Sequence, residues 1–141
     1  MSTKMYIVER SDGACLNLHN GAELAAINSL NPVPKDRAWM MLYLLREWRF
    51  DPRLNEGRRS AERQVQLYRE GKSKVQHSKH QDGDAWDICD HKLGWNASDD
   101  FKRAVGRAAR ITGCVWGGSW KSYGPMGDWA HSEWRSGQIV G

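Results

Sequence analysis

Residues 78–89 read Ser78-Lys79-His80-Gln81-Asp82-Gly83-Asp84-Ala85-Trp86-Asp87-Ile88-Cys89. Asp82-Gly83 is a turn signal, and the Ala-Trp-Asp-Ile-Cys run behind it has the length and composition of a short strand buried on both faces. Asp87 interrupts that run. A carboxylate in an apolar strand is unfavourable unless a cation meets it, and a bound metal is one of the few sufficient partners. His80 is the candidate co-ligand. Seven positions separate the two residues, an odd spacing that points them to opposite faces of a straight strand, so a reversal at Gly83 is needed to bring them together. The stretch alone leaves a second reading open: a buried aspartate bonded to backbone amides, beside an unrelated surface histidine.

Outward from this stretch, 141 residues fit one domain over 1–141, long enough to bury about two-thirds of the unfolded surface without covalent staples. Three cysteines, Cys15, Cys89 and Cys114, form no C-x-x-C pair, which argues against a disulfide framework or a thiolate zinc site. No apolar run follows Lys4 in residues 1–13, so no secretory signal peptide is expected and synthesis in the cytoplasm is. The longest apolar run, 38–45, stops at Arg46 and Glu47, far short of the roughly 20 residues that span a bilayer. A net charge of +4 and eight tryptophans raise the possibility of nucleic acid, since cations engage phosphates and indoles stack on bases. The basic residues are scattered among acidic ones, however, and the tryptophans lie in apolar or glycine-rich contexts, so no nucleic-acid partner is expected.

The periodicity predicts a first strand over 4–8, a loop through Asn20-Gly21, and a short helix over 23–30 ended by Asn31-Pro32-Val33-Pro34. A core helix starts near Asp36, with Ala38, Met41, Leu42, Leu45 and Trp48 at the helical period. Residues 50–57 lead as a strand into Arg58-Arg59-Ser60. Ser60 caps a helix over 61–70 whose inward stripe is Ala61, Val65 and Tyr68, with Gln64 as a polar residue on the same face. Ser98 caps an amphipathic helix over 99–112, with Phe101, Ala104, Val105, Ala108 and Ile111 inward. Val115-Trp116 begins a last strand, and a glycine-rich loop leads to Asp128 and His131. The fold class is α+β: a small antiparallel sheet carrying the metal, with helices around it.

Catalytic zinc sites take three protein ligands from His, Asp and Glu and keep a fourth position open, so His80 and Asp87 need a third partner. His131 is the best placed, at the start of a strand after a glycine-rich loop. Asp128, three residues earlier, separates a second role: His131 binds the metal, and Asp128 is the general base that takes a proton from water and returns it to the leaving amine. His19, His77 and His91 lack such surroundings and read as surface residues.

These motifs, in order, resemble one family. Ser78-x-His80-x-x-Gly83-x-Ala85-x-Asp87, then Trp116-Gly117-Gly118-x-Trp120, then Asp128-x-x-His131-x-Glu133 is similar to the zinc peptidases of the D-Ala-D-Ala carboxypeptidase and L-alanyl-D-glutamate endopeptidase family, which includes VanX and VanY enzymes and several phage endolysins. The run Arg59-Ser60-x-x-x-Gln64-x-x-x-Tyr68-x-x-Gly71-Lys72-Ser73 is similar to the segment preceding the family's metal motif, so the match covers residues 57–134. The resemblance implies a hedgehog/DD-peptidase-like fold and one zinc on His80, Asp87 and His131. It implies Asp128 as catalytic acid/base and Arg59 as the oxyanion donor, with Ser78 helping to hold the substrate and Gln64 and Trp116 beside it. Physical reasoning agrees for Arg59, because a fixed guanidinium acts most strongly in a water-poor site; Arg58 is its rival. Glu133 is placed to orient His131 or to pair with an arginine. Ala130-His131-Ser132-Glu133 departs from the Pro-His-Phe-Glu of many members, the loop over 121–127 is longer than in many carboxypeptidases, and the first 50 residues match only in having helices.

The resemblance therefore implies hydrolysis of a peptidoglycan stem-peptide bond by a monomeric enzyme. The missing signal peptide resembles phage endolysins, which wait in the host cytoplasm and act on the wall once the membrane is breached; this favours the L-alanyl-D-glutamate bond over the D-Ala-D-Ala bond of a carboxypeptidase or dipeptidase. A zinc-stabilised murein-binding module without turnover is the rival of another class, and a nucleic-acid binder the third.

Overall fold

In the computed structural model, which describes residues 5–75 and 77–136, the chain alternates short strands with helices. A hairpin of β1 (Tyr6–Glu9) and β2 (Cys15–Leu18) leads into α1 (Gly21–Asn28) and α2 (Pro32–Glu47). Then come β3 (Pro52–Glu56), α3 (Ala61–Arg69), a single turn α4 (Lys79–Asp82), β4 (Ala85–Asp90), α5 (Asp99–Ile111), β5 (Val115–Trp116) and β6 (His131–Glu133), with two 3-10 turns between β5 and β6. Lys4, expected in the first strand, lies outside the described residues.

The strands form a four-stranded antiparallel sheet in the order β3-β4-β6-β5, separate from the β1-β2 hairpin. The fold is α+β, as the sequence predicts. β4 is interior and its first five residues are all buried, which is why its sequence reads as a continuous apolar run rather than an alternating one. Helices α1 and α2 pack against β3, and α5 packs against α2 and β5. Ile27, Leu42, Leu54, Trp86, Ile88 and Phe101 form the centre of the core. No helix among the described residues is long and apolar enough to cross a membrane. The three cysteines are free, with Cys89 and Cys114 buried and Cys15 exposed.

Four expectations need correction. Helix α2 begins at Pro32 rather than near Asp36, because prolines in a first helical turn give up no intrahelical bond. The segment before α1 contains β2, whose Leu16 and Leu18 alternate inward while Cys15 and Asn17 face out. On α3 the buried residues are Gln64 and Leu67, whereas Val65 and Tyr68 are 44% and 42% exposed. This helix turns a polar face to a hydrogen-bond network rather than an apolar stripe to the core. Ile111, at the end of α5, is 50% exposed, and Gly106 and Ala109 join the buried face instead. The close approach at Gly106 admits the Trp116 ring, which a Cβ would meet at 2.7 Å.

The expected reversal at Gly83 is present, and a helical turn makes it. Residues 79–82 make one helical turn, and Gly83 closes it in the left-handed conformation at φ 77°. The turn is held by a capping box: the Ser78 hydroxyl accepts from the His80 amide at 3.2 Å, and the Ser78 amide donates to Gln81 Oε1 at 3.0 Å. Two orphan amides of a four-residue helix are thereby satisfied by its own neighbours.

Candidate active site

Asp87 and His131 face each other directly across the β4/β6 ladder. Opposed residues on antiparallel strands project to the same side with Cβ atoms about 4.5–5.5 Å apart, so strand register brings these two side chains together. His80 comes to the same point from α4. Its Nε2 lies 3.2 Å from His131 Nδ1 and 3.4 Å from Asp87 Oδ1, and His131 Nδ1 lies 3.7 Å from Asp87 Oδ1. All three residues are buried.

The opposite ring nitrogens are each engaged. His80 Nδ1 lies 2.8 Å from the Gly57 carbonyl, and His131 Nε2 lies 2.8 Å from Glu133 Oε1, whose other oxygen accepts from Arg135 Nε at 2.8 Å. With those nitrogens donating, His80 Nε2 and His131 Nδ1 present lone pairs to Asp87. Fixing the tautomer through the second nitrogen is how proteins prepare imidazoles as metal ligands. Asp87 Oδ1 is buried and has no hydrogen-bond partner. Ligands about 2.0–2.1 Å from a tetrahedral ion stand about 3.3–3.4 Å from one another. The three observed separations bracket that value, and the two nitrogens and one carboxylate oxygen suit a divalent ion of the zinc type. Without the ion, burial presses Asp87 towards neutrality, but His80, His131 and Arg59 outweigh it and hold its pKa below the usual carboxylate range.

Arg59 and Asp128 line the cleft that opens on this cluster, a space of about 850 Å³ that Trp120 and Tyr123 also border. The Arg59 guanidinium is gripped by Glu56, with Nε donating to Oε1 at 2.7 Å and Nη2 to Oε2 at 3.1 Å. Its Nη1 donates to Gln64 Oε1 at 2.6 Å, and its Nη2 stands 3.7 Å from Asp87 Oδ2. Three of five guanidinium hydrogens are thus engaged, leaving two for an incoming oxygen. Burial opposes the Arg59 charge, but Glu56, Asp87 and Asp128 more than compensate and raise its pKa. Arg58, the rival, instead ties the end of α1 to α4, donating to the carbonyls of Ser29 at 3.1 Å and Gln81 at 3.1 Å and to Asn31 Oδ1 at 2.9 Å.

Asp128 is placed by glycines. Its amide donates to the Gly117 carbonyl at 2.8 Å, and a Cβ on Gly117 would lie 2.5 Å from the Asp128 carbonyl oxygen and 3.1 Å from the Cβ of His131. The backbone of the 117–118 turn can therefore approach the Asp128 turn only with glycine there. Burial, together with the nearby negative charge of Asp87, raises the Asp128 pKa to about 6, against the lowering influence of His131, His80 and Arg59. A carboxyl group whose pKa lies near neutrality suits proton transfer in both directions.

Two of the three predicted substrate-binding residues lie away from the cleft. Gln64 is fully buried and does not line the cleft; its Nε2 donates to Ser73 Oγ at 2.9 Å and to the Val75 carbonyl at 2.7 Å, and its Oε1 positions Arg59. Trp116 does not line the cleft either: its indole N–H donates to the Trp129 carbonyl at 2.7 Å and its ring wedges between Gly106 and Gly118. Trp120 is the tryptophan over the cluster, 4.8 Å from the His131 ring centroid. Ser78 borders the cleft while capping α4. Sequence reasoning missed Glu56, whose position three residues before Arg59 was the available signal, and Tyr123, whose hydroxyl accepts from the Lys74 amide at 2.9 Å across the cleft mouth.

No protein-family model matches the sequence, and no curated protein does. Solved structures do match. The L-Ala D-Glu endopeptidase ChiX of Serratia marcescens has 27% sequence identity and a TM-score of 0.63, with 83% of this chain and 89% of that one covered. The vancomycin-resistance D,D-pentapeptidase VanY (E175A mutant), in complex with Zn(II), is 13% identical with a TM-score of 0.56 over 91% of this chain and 77% of that one. VanYB in complex with D-alanine-D-alanine is 14% identical with a TM-score of 0.55 over 96% and 77%. The chain thus shares its fold with the L-Ala D-Glu endopeptidase ChiX and with the D,D-pentapeptidase VanY, in keeping with the fold that its motif order implies.

Proposed function

We propose that this chain is a zinc-dependent peptidoglycan peptidase that hydrolyses a stem-peptide bond, with the L-alanyl-D-glutamate bond as its substrate. The observation that carries the reading is the buried triangle of His80, Asp87 and His131, open to a cleft that Asp128 and Arg59 also line. The likeness to ChiX, at higher identity than the two VanY structures, supports the choice of bond, and Zn(II) in the VanY structure supports the choice of metal.

His80, Asp87 and His131 would hold the zinc, which would supply positive charge to polarise a peptide carbonyl and acidify water. Asp128 takes the proton from the attacking water and delivers it to the amine that leaves. Arg59 presents its two uncommitted hydrogens to the oxygen on which negative charge develops. Because Glu56 and Gln64 hold the guanidinium beforehand, little reorganisation is needed as that charge forms. Ser78 retains a hydroxyl hydrogen to donate to the substrate backbone. The proposed setting is the cell wall at host lysis, in the manner of a phage endolysin, with the murein stem peptide as substrate.

Digestion of purified murein with zinc-loaded protein, with and without chelator, tests the proposal. The expected products are fragments carrying a new L-alanine carboxyl terminus and a new D-glutamate amine, formed only with metal present. Release of free D-alanine would assign the D-Ala-D-Ala bond instead. Binding to murein without any cleavage would leave a non-catalytic module. Lysis of permeabilised host cells, with none of intact cells, is the result expected of an endolysin.

A further inference from the structure

A second cluster of metal-ligating side chains lies at the other end of β4. His19 follows β2, Asp51 precedes β3, and His91 follows β4, four residues beyond Asp87 and so roughly 13 Å along the strand. Their ligand atoms all lie within 4.8 Å of one another. We infer that His19, Asp51 and His91 form a second site for a divalent transition-metal ion, separate from the catalytic cluster.

The best-prepared ligand is His19. Its Nδ1 lies 2.8 Å from Glu23 Oε1 and its Nε2 lies 2.7 Å from Asp51 Oδ1. The Glu23 side chain is fully buried and fixed by two amides, His19 N donating to Oε1 at 2.8 Å and Leu54 N to Oε2 at 2.8 Å. A carboxylate that pins one imidazole nitrogen fixes the other as the ligand, the same arrangement that Glu133 makes with His131. Nε2 then faces a carboxylate, and two lone-pair donors aimed at each other need a cation between them, either a proton or a metal ion. Asp51, 44% exposed at its side chain, is free to widen the 2.7 Å separation to the roughly 3.3 Å that two ligands of one zinc require.

His91 supplies the third ligand. Its backbone amide donates to the Asp51 carbonyl at 2.9 Å, so the two backbones are already joined, and its Nδ1 is buried without a hydrogen-bond partner. Its ring stacks on His19 with centroids 3.7 Å apart and planes inclined by 15°. One ion cannot lie in the plane of two nearly parallel rings, so loading requires the His91 ring to turn out of the stack. That reorganisation makes the second site weaker than the catalytic one. Two nitrogens and one carboxylate suit zinc, cobalt or nickel better than calcium or magnesium. An ion there ties together three segments from the first, middle and later parts of the chain.

Equilibrium dialysis of the full chain against zinc, followed by metal analysis, tests the site. Native protein should take up about two equivalents, the second at higher free zinc, while His91→Ala and Asp51→Asn take up about one and retain murein hydrolysis. His131→Ala, which removes a catalytic-cluster ligand, should keep the weaker equivalent, so failure of the peptidase assignment would leave this count unaffected. Zinc should also perturb the His19 and His91 ring resonances of the native chain. Absence of bound zinc in folded His131→Ala up to millimolar zinc would overturn the inference. So would a native uptake that folded Asp51→Asn and His91→Ala both leave unchanged, and if neither of those variants folds, the uptake of His131→Ala decides alone.

Discussion

Replacing Asp128 by asparagine should stabilise the metal-free protein while removing its activity. The Asp128 pKa rises from 3.8 to about 6, first because the carboxylate is buried and second because Asp87 is close. A carboxyl raised in the folded state binds its proton more tightly there than in the unfolded chain. Its stabilising contribution is therefore fully present below pH 3.8 and is lost as pH rises through about 6. The shift is about two pKa units, equivalent to about 3 kcal/mol at full ionisation. Asparagine mimics the protonated form at every pH. The gain in unfolding free energy from Asp128→Asn should thus be near zero at about pH 4 and grow to about 3 kcal/mol by about pH 8. Urea unfolding of chelator-treated protein across that range measures it. Zinc should shrink the difference, since its charge favours the carboxylate. Murein hydrolysis should fall by about 10²- to 10⁴-fold, the usual contribution of a positioned acid/base. A difference that does not vary with pH, or a destabilised variant at pH 8, would refute the account of a desolvated, charge-repelled base.

Two further substitutions separate positioning from chemistry. Gln64→Leu roughly keeps the side-chain size but takes the acceptor from Arg59 Nη1 and one of two donors from the Val75 carbonyl, which Ser73 Oγ still reaches at 3.2 Å; it should lower stability by about 2 kcal/mol and reduce kcat more than it raises KM, read from denaturant unfolding and steady-state kinetics. Gly117→Ala places a Cβ where the Asp128 carbonyl oxygen and the His131 Cβ now lie, so activity should fall about 100-fold through misplacement of the base, with metal content measured in parallel and expected to stay near that of the native protein.

Much of the site was legible in the sequence because its signals were local violations of pattern. Asp87 stood out as a carboxylate in a strand with no exposed face, and β4 is that strand. The reason that points to His80 is incomplete: the reversal at Gly83 is real, but the Asp82-Gly83 signal alone does not show that it closes a helical turn. The serine and glutamine three residues apart at Ser78 and Gln81 were a capping signature in plain view. Residues whose roles depend on long-range pairing were harder. Gln64 looked like a polar interruption of an apolar stripe, yet α3 covers a hydrogen-bond network and its apolar Val65 and Tyr68 face outward. Glu56 offered only its spacing of three from Arg59, and nothing local in the sequence says that the two side chains meet. Trp116 and Trp120 share one glycine-rich motif, and only the packing of Trp116 between Gly106 and Gly118 separates the scaffold residue from the one at the cleft.

The shortness of β5 has a consequence for how this protein can change. β5 pairs with Ser132 and Glu133 and stops before His131, so one rung of the sheet is missing beside a residue of the metal cluster. The chain leaves the sheet at Gly117, runs outward through Trp120 and Tyr123, and returns only at Asp128. The gap is filled by a detour rather than by a strand. Insertions or deletions along that detour can redraw the walls of the cleft while the Asp87–His131 pairing, fixed by neighbouring strands, stays in place. The walls of the cleft and the Asp87–His131 pairing are therefore carried by separable pieces of backbone, and selection can vary the first without rebuilding the second.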